Sequence, residues 1–408
     1  MRIGQFGKVN EISIDAIRHY MDLGLIVPEK QGGHYYFDEN CQNDLELILE
    51  LKGMGFQLNE IKMIFHYKNL GKFTDYERDA FYQSLFMDKH EKLEYEIKSL
   101  KDMQDRLQQK LDQLTTPSSE SCHTIGIDLS LLDIFRCNKC AKSLTLQDGI
   151  IRNNQIDEGK LTCHCDQVYL IESGILRVGQ TGQTIVSNDQ VSHLNNIPEY
   201  IQETDPLYLE NMNKGLHWSK RKLGQIDLHK KVILELGSGF GFFLRNMYQE
   251  LPDDCLYIAV DHNLERHQFL KSLLERTGSK RNLLFICGDF LDIPISKQTV
   301  DIVIDHSGTS NYSFEHEAFL LREVDSLIKL DGYLLGSYLA FKNFSHKSKI
   351  EANYRDNFTD SKIKQNIRKL GYIPIEERTS ESIEKGGKYE DFFVQGEEIF
   401  SYSFFGKR

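Results

Sequence analysis

No run of apolar residues in this chain approaches the roughly 18 to 20 needed to cross a bilayer. Its first ten residues also lack the apolar core of a secretion signal. These absences point to a protein of the cytoplasm with no membrane partner. Positive charge is scarce as well: 49 Lys and Arg stand against 61 Asp and Glu, a net charge of −12. Such a surface does not coat nucleic acid indiscriminately, because phosphate binding depends on clustered Lys and Arg, so any DNA contact must be local. Without a secretion signal, the eight cysteines read as reduced thiols or metal ligands rather than disulfides.

What is present is enough chain for several cores. At 408 residues the length exceeds a typical domain of roughly 100 to 200 residues, so two or three domains are expected. Residues 1–72 alternate short apolar helical patterns with turns. A helix over 3–9 is followed by a bend and a second helix over about 13–23, which carries Asp15, Arg18, His19 and Tyr20 and stops at Gly24. A glycine turn at Gly32-Gly33 leads into the aromatic stretch His34-Tyr35-Tyr36-Phe37, and helices over about 39–53 and 59–66 follow.

This stretch resembles the MerR family of bacterial regulators. The marks are Ile17-Arg18-His19-Tyr20 with Leu23-Gly24-Leu25-Ile26, the wing, and Leu51-Lys52-Gly53-Met54-Gly55-Phe56 before Glu60-Ile61. The resemblance implies an all-α winged helix-turn-helix that binds double-stranded promoter DNA. It places Arg18 and Tyr20 at DNA-contacting positions of a recognition helix and the wing residues His34 and Tyr35 against the backbone. Tyr35 stands where the family wing usually supplies an arginine.

Residues 73–116 read as one long helix. Phe86, Leu93, Ile97, Leu100, Leu107, Leu111 and Leu114 follow alternating steps of three and four, with His90 and Gln104 completing the seam. Such a stripe is buried either against a second copy, giving a homodimer through a coiled coil, or against the helix's own domain. The segment Thr115-Thr116-Pro117-Ser118-Ser119 then breaks the helix.

Over residues 130–180 two thiol pairs, Cys137-x-x-Cys140 and Cys163-x-Cys165, flank a hairpin pattern. Four thiolates brought together this way give a closed, structural zinc site, and His164 between the last two is a further candidate ligand. The surroundings resemble the small zinc ribbons that accompany some nucleic-acid methyltransferases.

From about residue 200 onward, and clearly from 231, strands alternate with helices. The run Val232-Ile233-Leu234-Glu235-Leu236 enters the glycine turn Gly237-Ser238-Gly239-Phe240-Gly241, which opens a helix. The next strand ends in Asp261, about 20 residues past the last glycine, where a carboxylate can accept both ribose hydroxyls of a nucleoside. Later strands end in Gly288-Asp289-Phe290 and Asp305-His306, and the pattern closes with candidate strands near 331–336, 371–375 and 400–405.

These elements in this order resemble class I S-adenosylmethionine-dependent methyltransferases. The resemblance implies an α/β Rossmann-like fold over 200–408, with S-adenosyl-L-methionine as cofactor. Glu235, Gly237, Gly239 and Gly241 would face its methionine part, Asp261 its ribose, and Asp289 with Phe290 its adenine. A nicotinamide dinucleotide fold fits less well, because Phe242 stands where Gly-x-Gly-x-x-Gly needs its third glycine.

The loop 305–312 then meets the methyl acceptor, offering His306 as a base and Tyr312 as a stacking surface. It lacks the Asn-Pro-Pro-Tyr type of segment that grips base nitrogens, so a small-molecule acceptor or effector is expected. Trp218, the only tryptophan, is a packing residue or a lid. The whole reads as a multidomain regulator with a methyltransferase domain. Its alternatives are a regulator that senses the cofactor or a related ligand without methyl transfer, and an RNA methyltransferase.

Overall fold

The computed structural model describes residues 1–70, 74–115, 123–179, 197–306 and 308–408. The chain forms two compact units, Met1–Ser118 and Ser119–Arg408. The expected break at 116–119 and Ser307 of the acceptor loop lie outside the described residues, as does the side chain of Leu114.

The first unit begins with α1 (Ile3–Val9) and α2 (Ile14–Asp22). Ser13 starts α2 by accepting a hydrogen bond from the Ala16 amide at 3.1 Å, which satisfies one of the free amides of the first turn. The strands β1 (Glu29–Gln31) and β2 (His34–Tyr36) pair antiparallel as a wing. Next come α3 (Glu39–Gly53), capped by Asp38 on the Cys41 amide at 2.9 Å, and α4 (Leu58–Leu70). The apolar faces of these helices close over Phe6, Ile17, Leu45, Ile48, Ile61 and Phe65, and Phe6 stacks on Phe37 at 4.5 Å.

The helix α5 (Asp75–Thr115) has 41 residues, roughly 60 Å at 1.5 Å per residue. Its first part packs on the same core through Tyr82 and Leu85, with Phe56 against Phe86 and Lys89 paired to Glu60 at 3.0 Å. Beyond Lys89, Leu93, Ile97, Leu100 and Leu107 of the seam are exposed.

The second unit is built on a 12-stranded sheet. It opens with β3 (Ile127–Asp128), β4 (Thr145–Arg152), β5 (Gln155–Thr162), β6 (Val168–Glu172) and β7 (Ile175–Arg177). The helices α6 (Ile197–Glu203) and α7 (Pro206–Leu223) precede the α/β part. There β8 (Val232–Leu236), α8 (Phe242–Met247), β9 (Leu256–Asp261), α9 (Leu264–Glu275), β10 (Asn282–Cys287) and β11 (Val300–Asp305) alternate. The chain ends with α10 (Gly308–Tyr312), α11 (Leu320–Glu323), β12 (Ile328–Phe341), α12 (Asp360–Lys369), β13 (Ile373–Thr379) and β14 (Ile399–Lys407).

Strand order is β13-β14-β12-β11-β8-β9-β10-β7-β6-β5-β3, with β4 on β5. Strands β10, β9, β8, β11 and β12 are parallel, while β14 runs antiparallel to both β12 and β13. Parallel strands buried on both faces explain the nearly continuous apolar runs seen in the sequence. Alternation along β8 and β9 sends Leu234, Leu236, Ile258 and Val260 to one core and Ile233, Tyr257 and Ala259 to the other. The order reverses between β8 and β11, and ligands of open α/β sheets bind at the carboxyl ends beside such a switch point.

The strands of the cysteine-bearing ribbon belong to this same sheet. Ile175–Arg177 of β7 pair in parallel with Phe285, Ile286 and Cys287 of β10, covering what would otherwise be an exposed edge.

At the opposite end, Asp301 ties three neighbouring strands together. Its carboxylate accepts from the Val232 amide at 3.0 Å, Lys231 Nζ at 3.2 Å and Lys329 Nζ at 2.9 Å. Asp301→Ala would leave the Val232 amide unpaired and two lysines uncompensated. We expect a loss of about 2 to 3 kcal/mol, read as a shift in denaturant midpoint at unchanged slope.

Candidate functional site

At the switch point the chain leaves β8 through Gly237 and turns into α8. Gly241 has φ +70°, and a Cβ there would fall 2.3 Å from Leu270 Cδ1 of α9. Only glycine lets α9 pack this closely against the turn. Ser238 shares a 3.1 Å hydrogen bond with His267, whose burial pushes its imidazole down to about 4. Gly239, at φ +52°, donates its amide to Asp261 Oδ2 at 2.8 Å, and Asn263 donates its amide to Oδ1 at 2.8 Å. The Asp261 carboxylate thus stands at the end of β9 with each oxygen taking one backbone bond, which leaves acceptor capacity on both.

A cavity of about 730 Å³ opens over this turn, lined by Glu235, Gly237, Gly239 and Asp261 together with His306. Glu235 is buried, and its Oε2 has no hydrogen-bond partner among the described residues. Burial pushes its carboxyl up to about 7. The Tyr257 hydroxyl beside it offsets part of that burial, and the carboxyl, as part of the cavity wall, would offer a counter-charge to a cationic group there. The donor set therefore fits a nucleoside with a positively charged tail: Asp261 for paired hydroxyls, Glu235 for the cation, and a glycine turn for close backbone approach.

His306 follows Asp305 at the end of β11. The Asp305 carboxylate accepts from the Thr309 amide at 2.9 Å and the Thr309 hydroxyl at 2.5 Å, which sets the start of α10. The His306 ring lies 4.6 Å from Phe243, and its buried Nε2 has no partner among the described residues. Desolvation lowers its pKa to about 4, so the imidazole is neutral at physiological pH.

Not every residue singled out in the sequence reaches the cavity. Asp289 is exposed and caps the Leu291 amide at 2.9 Å, because a short 3-10 turn over Phe290–Asp292 begins at once after β10. Phe290 packs against the core beside that turn. Tyr312 stacks on His316 at 3.9 Å, and neither it nor Asp289 or Phe290 is on the cavity wall. Trp218 is buried in the core, donating to Glu376 Oε1 at 2.7 Å, and is therefore a packing residue.

The wall also contains residues that no local pattern marks. Tyr200 of α6, Asn211 of α7, Ser337 of β12, Arg378 of β13 and Ser403 of β14 all face the cavity. They come from both sides of the α/β motif and meet only in the fold. The one legible hint, the polar serines alternating through Phe400-Ser401-Tyr402-Ser403, lies in a strand that otherwise reads as apolar.

In the ribbon, the Sγ atoms of Cys137, Cys140, Cys163 and Cys165 lie within 4.8 Å of one another. The cross-pair distances are 3.5 Å for Cys137–Cys165 and 3.3 Å for Cys140–Cys163, close to the edge of a tetrahedron with metal–sulfur bonds of about 2.3 Å. The single-residue spacing of the second pair is accommodated by a turn at Asp166, φ +62°. His164 is exposed and outside the group. Tyr169 donates its hydroxyl to Asn138 Oδ1 at 2.5 Å beside the first pair.

In the first unit Arg18 is exposed on α2, 3.4 Å from Asp15, and His34 and Tyr35 are exposed on the wing. Tyr20, expected at a DNA-contacting position, is only 4% exposed: its ring is part of the helical core, and Lys52 Nζ donates to its hydroxyl at 3.2 Å. The periodicity of α2 turns position 20 inward with Ile17.

Residues 1–68 match the family described as MerR HTH family regulatory protein, and residues 227–387 match the family described as Methyltransferase domain. No curated protein matches the chain. Among solved structures, a SAM-dependent methyltransferase from Aquifex aeolicus is similar at 16% identity, covering 54% of this chain and 98% of that one, with a TM-score of 0.33. Geranyl diphosphate methyltransferase in complex with SAM is similar at 13% identity, 54% and 95% coverage, and a TM-score of 0.39. The chain is thus a fusion, with a MerR-type helix-turn-helix DNA-binding domain at its start and a methyltransferase domain in its C-terminal region.

Proposed function

We propose that this protein is a cytoplasmic transcriptional regulator whose second unit binds S-adenosyl-L-methionine and transfers its methyl group to a small molecule. The observation that carries the reading is the cavity wall where Glu235, buried with an unsatisfied oxygen, stands with Asp261 over the glycine turn. Glu235 would hold the cationic end of the cofactor, Asp261 its ribose hydroxyls, and the backbone at Gly237, Gly239 and Gly241 would allow close approach. Asp289 and Phe290, off the cavity wall at the turn after β10, would meet the adenine only from outside that wall.

When bound, the cofactor would supply a sulfonium methyl group for transfer to the acceptor's lone pair, the carbon–sulfur electron pair staying with sulfur. The protein's part is to hold the acceptor in line and exclude water. Neutral His306, a residue of the cavity wall, would receive the acceptor's proton. Tyr312, stacked on His316 and off the cavity wall, is given no part in this step.

In the first unit Arg18 would reach the major groove and the wing residues His34 and Tyr35 the phosphates of promoter DNA, with Tyr20 positioning α2 from inside the core. The exposed seam of α5 supports homodimerisation through a coiled coil, which would present two recognition helices to a two-fold site. The four cysteines would hold zinc as a closed structural site.

Calorimetric titration of the full, metal-replete chain with S-adenosylmethionine should give saturable binding that Asp261→Ala abolishes; a folded wild-type protein that binds nothing would overturn the reading. Protonation sets a second expectation. The Glu235 carboxyl, raised to about 7 by burial, must be ionised to hold a cation, so binding releases a proton and weakens as pH falls. Between pH 8 and pH 6 the affinity should drop roughly tenfold, and Glu235→Gln should flatten that profile. Chelation should remove one metal ion per chain and lower the unfolding midpoint of the second unit by several degrees or about 2 kcal/mol, followed by calorimetry, while Cys140→Ser should reproduce the effect.

A further inference from the structure

On the cavity wall, Arg378 carries a charge that no carboxylate balances among the described residues. Four positions line up there across consecutive strands. Asp305 of β11 is in register with Gly336 of β12, so His306 and Ser337 follow side by side. Ser337 is in register with Ser403 of β14, and Ser403 with Arg378 of β13. Register partners on neighbouring strands point to the same face, and all four residues line the cavity. At about 4.8 Å per strand the row runs roughly 14 Å from His306 to Arg378.

Arg378 is half-buried, and its Nη1 donates to the Lys214 carbonyl of α7 at 2.7 Å. That single bond steadies the guanidinium and leaves most of its five donors unused. No carboxylate pairs with it among the described residues, whereas two other charged residues of the wall are matched, Lys388 with Glu199 at 3.0 Å and Asp391 with Lys349 at 3.4 Å, and Arg266 lies over the Phe240 ring. The hydroxyls of Ser337 and Ser403 beside it have no partner among the described residues, although Ser403 is buried. A planar guanidinium flanked by hydroxyl donors is the arrangement that binds a carboxylate or phosphate.

Two further residues shape the rest of the cavity. Asn211 of α7 is buried, with its Nδ2 donating to the Glu381 carbonyl at 3.0 Å, which fixes its side chain at the wall. Tyr200 lies 5.3 Å from Tyr389 and 5.8 Å from Phe242, a wall of rings that suits a flat or apolar middle.

Building on the reading of this cavity as a methyl-transfer site, we propose that the acceptor is an elongated molecule bearing an oxyanion, held by Arg378 with Ser337 and Ser403. The anion is the handle at one end of the row. The group that gives up its proton lies at the other, beside His306. Arg378, Ser337 and Ser403 are then specificity-determining residues.

The test uses the full chain saturated with S-adenosylmethionine, titrated with benzoate, phenyl phosphate, benzamide and benzylamine by ligand-observed NMR. One or both anions should bind at least about tenfold more tightly than benzamide and benzylamine, and the preferred anion distinguishes a carboxylate handle from a phosphate one. Arg378→Gln should weaken that anion by at least about tenfold while leaving cofactor affinity unchanged. Neutral or cationic probes binding as well as the anions, no anion binding at millimolar concentration, or an unchanged anion affinity in Arg378→Gln would each overturn the proposal. Should that variant not fold, Ser403→Ala is expected to weaken the anion severalfold, and no weakening would count against it. A wild-type protein that fails to bind the cofactor would sink the parent reading instead, and the anion panel is scored equally well without cofactor.

Discussion

The carboxylate of Asp301 holds β8, β11 and β12 in register, and the rest of the second unit depends on that register. By accepting from the Val232 amide and from Lys231 and Lys329, it clamps three adjacent strands at their amino ends. A parallel pair has no hairpin to set its alignment, so an anchor at the start of the strands constrains where they finish, together with the register shift that pairs Val300 with Ile328 but Ile302 with Tyr333. Their finish is where the chemistry lies. Glu235 is the penultimate residue of β8, His306 follows β11, and Ser337 follows Gly336, the last partner of β11 on β12. A one-residue slip in any strand would turn its polar group away from the cavity.

That alignment concentrates unsatisfied polar atoms in one place. Glu235, His306 and Asn211 line a single cavity, and each has a buried polar atom, Oε2, Nε2 and Oδ1, without a partner among the described residues. Polar groups taken out of water without a hydrogen bond destabilise a fold, and their convergence is the mark of a site built for a ligand rather than for packing. The environments also separate the titrating groups. Burial raises the Glu235 carboxyl and lowers the His306 imidazole, so both sit nearer their neutral forms until a ligand supplies charge.

The ribbon adds a different constraint. Through β7 it lies along β10, and the first cysteine turn reaches the segment after β10, where Asn138 Nδ2 donates to Asp292 at 3.0 Å and the Arg136 amide to the Pro294 carbonyl at 2.9 Å. The four sulfurs are drawn together by two tight turns and by Tyr169, whose hydroxyl lies 3.6 Å from Cys137 Sγ. A metal there would stiffen the sheet edge as well as the ribbon. The first unit is held by ordinary means, namely capped helices over a compact apolar core.

The sequence by itself determined the helix-turn-helix with its wing, the long helix with its seam, the two thiol pairs, and the strand–glycine turn–helix with acids at the strand ends. Each of these is carried by local periodicity, capping or spacing, which a linear reading can follow. Only the tertiary structure decided which of those residues meet. It turned Tyr20 into the core, because one helix face must be buried and position 20 shares it with Ile17. It left Asp289, Phe290 and Tyr312 off the cavity wall, because short helical turns after β10 and β11 redirect the chain. It also brought Asn211, Ser337, Arg378 and Ser403 to the cavity from one helix and three strands far apart in the chain. No local pattern could announce that row, since strand pairing over long separations depends on how whole faces bury one another, and neighbouring residues in the sequence do not contain that information.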